Sequence, residues 1–248
     1  MKKMILLCFS LLLALTVGCS MNNNEKNNTK DNNTEALKPK DMDPKDLPQV
    51  PAFQDEKTRE YMVSTKEEEP GYYLLESKLK GFRMLFPEDA KFLSRRSSLT
   101  GKNKESIGFN SYDKDTNVMF DGHVTFYKEE SFVNEPETML DIVSGKNDYK
   151  GEYKKSSKKN TDIYFAKKKD IFEDIERKYN YSYSYFGYVK SLEEDSLGVE
   201  YAFIFGCKNE NQPCSLNEEK AKNKVEKLIN SISFLLNKKD KENGSQRK

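Results

Sequence analysis

The sequence has no tryptophan and a single histidine, His123. A lone histidine cannot build a multi-histidine metal centre, and a Ser-His-Asp arrangement would need partners that nothing nearby supplies. Charge of one sign is not in excess, with 42 Lys and Arg against 41 Asp and Glu. That balance excludes a general attraction to nucleic acid. Long apolar runs are also lacking. Met4 to Val17 is about fourteen residues, where a transmembrane helix needs about twenty. No stretch names a reaction, so neither a cofactor nor a metal is expected.

What is there begins at the N-terminus. Met1-Lys2-Lys3, the apolar run and Gly18 before Cys19 are the three parts of a secretory signal. Thr16-Val17-Gly18-Cys19 resembles the lipobox of bacterial lipoproteins, with Thr16 standing where Leu is usual and Leu15 one place earlier. The resemblance implies cleavage after Gly18, a diacylglyceryl group on the Cys19 thiol, and a place on the outer face of the cytoplasmic membrane. Two acyl chains anchor stably where one does so marginally, each buried CH₂ contributing about 0.8 kcal/mol. Losing Lys2 and Lys3 leaves 40 basic residues against 41 acidic.

Composition then divides the chain. Residues 1–18 read as the signal and 19–52 as the lipidated cysteine and a disordered tether, rich in Asn, Lys, Asp, Glu and Pro. Residues 53–237 have the size of one domain, and 238–248 form a polar tail. Cys8 leaves with the signal, so Cys207 and Cys214 remain. Outside the cytoplasm a disulfide between them is expected, with free thiols as the alternative. Closing that eight-residue loop would contribute roughly 2.5 kcal/mol in the chain-entropy model.

Periodicity supplies the elements. Phe82, Met84 and Phe86 alternate in "GFRMLFP". "ESIGFNSY" and "NVMFDGHVTFY" flank the turn residues "DKDT" and predict a hairpin. "NEPETMLDIVSGK" predicts a short helix capped by Asn134 and stopped by Gly145. "TDIYFAKK" and "YNYSYSYFGYVK" predict strands, and "GVEYAFIFGC" is apolar on both faces, as a central strand would be. "SLNEEKAKNKVEKLINSISFLL" opens on a Ser215/Glu218 capping box and carries a stripe through Ala221, Val225, Leu228 and Ile232. A weaker helix is expected over Phe53 to Met62. The sum is an α+β domain, an antiparallel sheet flanked by helices. Gly81-Phe82 with Phe86-Pro87, and Ser231-Ile232-Ser233-Phe234, resemble the early strand and closing segment of PsbP-like domains. That resemblance spans Tyr72 to Leu236 and implies a mostly non-catalytic role, with no site residue carried over.

Four features could bear chemistry or binding. Asp113, Asp115, Asn117 and Asp121 have calcium-loop spacing, but Val118 and Val124 stand where Gly and Glu are needed. Ser156 to Lys159 fits S-x-x-K without companion motifs. The lysines of "KGEYKKSSKKN" and "AKKKD" could face an anionic envelope polymer or lipid headgroups. Tyr181, Tyr183 and Tyr185 form a ladder suited to an interface, possible partners being an envelope protein or such a polymer. The expected function is a cell-surface, lipid-anchored accessory or binding lipoprotein. The alternative is an envelope hydrolase whose site assembles from distant carboxylates.

Overall fold

The computed structural model describes residues 37–158, 160–172, 179–209 and 212–236. The signal, Cys19, the first part of the expected tether and the C-terminal tail lie outside these residues. The first α-helical elements are two single turns, α1 (Pro51–Gln54) and α2 (Glu56–Arg59). They replace the one helix expected over 53–62. Asp55 takes an extended conformation between them, and its carboxylate accepts from the Thr58 backbone N–H as a cap.

The strands are β1 (Tyr72–Glu76), β2 (Phe82–Pro87), β3 (Lys91–Phe92), β4 (Ser98–Thr100), β5 (Lys104–Asp113), β6 (Val118–Lys128), β7 (Lys154–Lys158), β8 (Thr161–Ile171), β9 (Tyr181–Ser191), β10 (Leu197–Cys207) and β11 (Ser233–Phe234). Helix α3 spans Pro136–Asn147 and α4 spans Glu218–Asn230. All pairings between these strands are antiparallel. The fold class is therefore α+β, but with two sheets rather than one. A small sheet runs β1-β2-β11, and a large one runs β3-β5-β6-β10-β9-β8-β7 with β4 also on β5. The two stretches that carry the PsbP-like resemblance are neighbours, because Phe82 pairs with Phe234 across β2 and β11.

Alternation decides which face of the large sheet each side chain serves. Phe109, Phe120, Val124, Phe126, Val199, Tyr201 and Phe203 point to the main core, where β2 contributes Phe82, Met84 and Phe86. Phe82 meets Phe126 and Phe86 meets Phe109, with ring centroids 5.6 and 5.0 Å apart. The α4 stripe of Ala221, Val225, Leu228 and Ile229 closes the same core. Its cap is Asn217, which accepts from the Lys220 N–H, rather than Ser215. The Ser215 N–H is drawn away to the Thr116 carbonyl. On the opposite face α3 lays Met139 and Val143 against Tyr188 and Phe186. α3 starts after Glu135 and runs past Gly145 to a left-handed Asp148. β10 is central as expected, yet Ile204 is 39% exposed because α3 covers only part of its face.

The folded region starts before Phe53, which corrects the expected tether boundary. Pro39–Asp41 and Pro44–Asp46 form 3-10 turns. Pro39 is buried, and Leu47 and Ala52 belong to the core cluster. A few apolar anchors are enough to fix a segment whose composition is otherwise that of a linker. Among the described residues, no helix is long and apolar enough to cross a membrane.

Candidate functional site

The two lysine segments of the sequence meet in space. β7, with sequence KKSSK, is the edge of the large sheet and is exposed along its length. It pairs with β8 in the register Lys154 to Phe165 and Lys155 to Tyr164. The consecutive lysines of β8 then divide by alternation. Lys168 points to the α3 side, where it donates to the Asn147 carbonyl at 3.2 Å. Lys167 and Lys169 point to the α4 side, Lys167 reaching Glu218 and Lys169 standing 4.4 Å from the Tyr181 ring centroid.

Between the β7–β8 hairpin and α4 lies a recess of about 690 Å³. Ile163, Phe165 and Ile229 give it an apolar floor, and Lys154, Lys167 and Lys222 give it cationic walls, while the Lys155 ammonium lies on the other face of the sheet beside Tyr164. Glu152 and Glu226 are the acids on the same lining. Lys222 is paired with Glu226 at 3.2 Å. Lys155 is held at 2.6 Å by Asp162, which also accepts from Ser157 Oγ at 2.6 Å. Burial would raise the Asp162 carboxyl, but those two hydrogen bonds outweigh it and hold the group below its usual range. Lys154 makes no ion pair among the described residues. Lys158 closes one end by donating to the Asn230 carbonyl at 3.3 Å, a favourable place for a cation at a helix C-terminus.

The tyrosine ladder is only partly a surface. Tyr185 is 1% exposed and donates its hydroxyl to the Glu218 carbonyl at 3.0 Å. This corrects its place in the expected binding surface. Its face of β9 is the one α4 covers. Tyr183 and Tyr181 are half-buried, with rings 5.6 Å apart and Lys169 over both.

Other expected groups are spoken for. The Asp113 carboxylate accepts from Asp115 N, Thr116 N and Thr116 Oγ1, closing the turn that the calcium spacing suggested. Asn117 is buried with φ of 57° and fastens that turn to the next loop, donating to the Asn209 carbonyl at 2.8 Å. That loop is closed by a Cys207–Cys214 disulfide, which joins the end of β10 to the approach to α4. Ser156 is exposed on β7, and Lys159 lies outside the described residues. No cluster of three or more metal-ligating side chains occurs among the described residues.

His123 lies on the face opposite the Phe120 and Val124 stripe, half-buried, and burial followed by the Arg96 charge lowers its pKa. A cluster the sequence did not announce sits beside it. Glu200, 6% exposed, accepts from Tyr127 Oη at 2.8 Å and from Lys146 Nζ at 2.8 Å. The alternation of β10 put Glu200 on a face read as apolar, and only α3 supplies its lysine. A second recess is lined by three carboxylates, Glu56, Glu60 and Glu76. Hydrogen bonds from Lys57 and then Lys78 hold Glu60 down to about 2. Burial would raise Glu76, but hydrogen bonds from Lys80 and Arg83 outweigh it. Both are ionised at neutral pH, so neither can act as the general acid a paired-carboxylate hydrolase requires.

A family model described as "Putative lipoprotein YvcA" matches residues 48–233. That match begins inside the segment where the fold itself begins. A curated protein of the same description from Bacillus subtilis (strain 168) is 88% identical over 241 residues, covering 97% of this chain and 100% of that protein. No solved structure matches. With most of its length inside the family match and a near-identical full-length relative, this chain belongs to the YvcA lipoprotein family.

Proposed function

We propose that the protein is a non-catalytic binding module, held at the outer face of the cytoplasmic membrane by a diacylglyceryl group on Cys19, that takes an anionic envelope polymer in the β7–β8/α4 recess. One observation carries the reading. Two lysine segments separated in sequence converge on a single recess with an apolar floor and, with Lys222 of α4, three cationic walls. A polymer that alternates phosphate with short apolar linkers matches both features. Lys169 with Tyr181 and Tyr183, two residues further along the same face of β8, extends the track. The family membership and the lipobox support the anchor.

The test is calorimetric titration of the mature protein with glycerol phosphate oligomers. Lys154→Glu and Lys222→Glu should each weaken binding at least about fivefold, since a cation near an anionic partner is worth about 1 kcal/mol. Binding should also fall steeply with salt. Oligomers that fail to bind, or bind equally to both variants, overturn the assignment of the recess.

A further inference from the structure

A second cationic feature lies where the chain enters the fold. Leu37 is 72% exposed, and Lys38 and Lys40 follow it. These lysines line a recess of about 630 Å³ with Lys78, Lys80 and Arg83 from the β1–β2 connection and strand β2. Glu56, Glu60 and Glu76 are the acids on that lining, so cations outnumber carboxylates by five to three. Glu60 is shared by Lys57 and Lys78, and Glu76 by Lys80 and Arg83. Asp41, Asp43 and Asp46 do not line this recess.

The last described residues, Leu235 and Leu236, lie at the same corner. The Leu235 N–H donates to the Gly81 carbonyl at 2.9 Å, and Leu236 lines the adjoining recess with Lys80. The sequence beyond carries Lys238, Lys239, Lys241, Arg247 and Lys248 against Asp240 and Glu242. The start of the fold at Leu37 also shortens the leash. From Cys19 to Phe53 a chain could reach roughly 115 Å, but from Cys19 to Leu37 it reaches at most about 60 Å.

We infer that this corner, formed by Lys38, Lys40, Lys78, Lys80 and Arg83, docks on the anionic headgroups of the membrane in which the protein is anchored. The shared chemistry is a phosphate diester, and the headgroup is favoured because the first and last described segments, at Lys38 and Leu236, lie here and the anchored side must run to the bilayer. The inference rests on the anchoring at Cys19 proposed above. The domain is then oriented on the surface rather than free to turn at the end of its leash.

The experiment uses the full lipidated protein in nanodiscs of phosphatidylcholine, with and without phosphatidylglycerol, doped with a headgroup spin label. Amide signals of Tyr61 to Val63 and Ser77 to Arg83 should broaden only in anionic discs, and those of Lys154 to Ser157 should not. High salt should abolish the effect. Lys38→Gln, Lys40→Gln and Lys80→Gln should each reduce the ratio of docked to undocked protein about fivefold, the worth of one cation near such a surface. Equal broadening of the two regions, or indifference to phosphatidylglycerol, overturns the inference. So does an equal shift of the corner amides by soluble glycerol phosphate oligomers in neutral discs, which would make the corner a site for a soluble phosphate diester. An unmodified Cys19 by mass spectrometry overturns the anchor alone, and anion-dependent broadening that persists there still supports the cationic face.

Discussion

Replacing Gly187 by alanine tests how the tyrosines of the sheet are used. Gly187 faces the main core from the middle of β9, between Phe165 of β8 and Tyr201 of β10. The Tyr201 hydroxyl crosses over it to donate to the Tyr164 carbonyl at 2.8 Å. A β-carbon on Gly187 would collide with that carbonyl oxygen and stand 2.6 Å from the Tyr201 hydroxyl. The obstacle is backbone, so relief requires β8 to move away from β9. Overpacking of this kind costs about 3 kcal/mol, or roughly 6–12 °C in Tm for a domain of this size. Gly206 of β10 is the control. Its nearest neighbour to an added β-carbon is Ser182 Cβ at 3.8 Å, so Gly206→Ala should stay within about 0.5 kcal/mol of wild type. Tyr201→Phe should cost about 1 kcal/mol for the lost hydrogen bond. Combined with Gly187→Ala it should total less than the sum by about 0.5–1 kcal/mol, because the one side-chain atom in the clash is gone. Urea unfolding followed by circular dichroism measures all four. Equal stability of Gly187→Ala and Gly206→Ala would refute the reasoning.

Reducing the Cys207–Cys214 disulfide, or replacing both residues by serine, should lower the urea-unfolding free energy by about 2.5 kcal/mol, with protection lost first around Asn117 in hydrogen exchange. Leu47→Ala should destabilise by about 2–3 kcal/mol, since Leu47 is 4% exposed within the core cluster; a linker residue would give no change. Glu60, with its pKa depressed to about 2 against 4.5 unfolded, stabilises the fold above pH 4.5 and loses that contribution as pH falls toward 2. Its carboxylate meets solvent, so the gain is about 0.5–1 kcal/mol. Glu60→Gln should flatten the acid limb of a stability-against-pH curve by that amount, and an unchanged limb would deny the pairing its role.

The sequence declares elements whose signal is local. The β5–β6 hairpin is legible because two alternating runs flank a turn, and its register pairs Phe109 with Gly122. Helix α4 is legible because Ala221, Val225, Leu228 and Ile229 recur at helical spacing and are all buried. What is not legible depends on the covering layer. Tyr181, Tyr183 and Tyr185 are equivalent by alternation, yet only Tyr185 lies under α4. Glu200 stands in an apolar run, and the lysine that accompanies it comes from α3, far off in sequence. Pro39 and Leu47 are isolated apolar residues in a charged segment, where no period marks them as anchors.

The candidate site belongs to this second class. Its lysines are visible as two charge runs, but their meeting needs the β7–β8 pairing, and its third wall comes from α4 at Lys222. Alternation then makes a sharper distinction than composition can. Of three consecutive lysines, Lys167 and Lys169 face the helix α4 side and Lys168 faces α3. Moving β8 by one residue against β9 would reverse that allocation and leave Lys168 alone on the recess side. The recess is therefore a property of strand register as much as of lysine content. A variant that keeps every lysine but shifts the register should lose the cationic wall while its net charge stays the same.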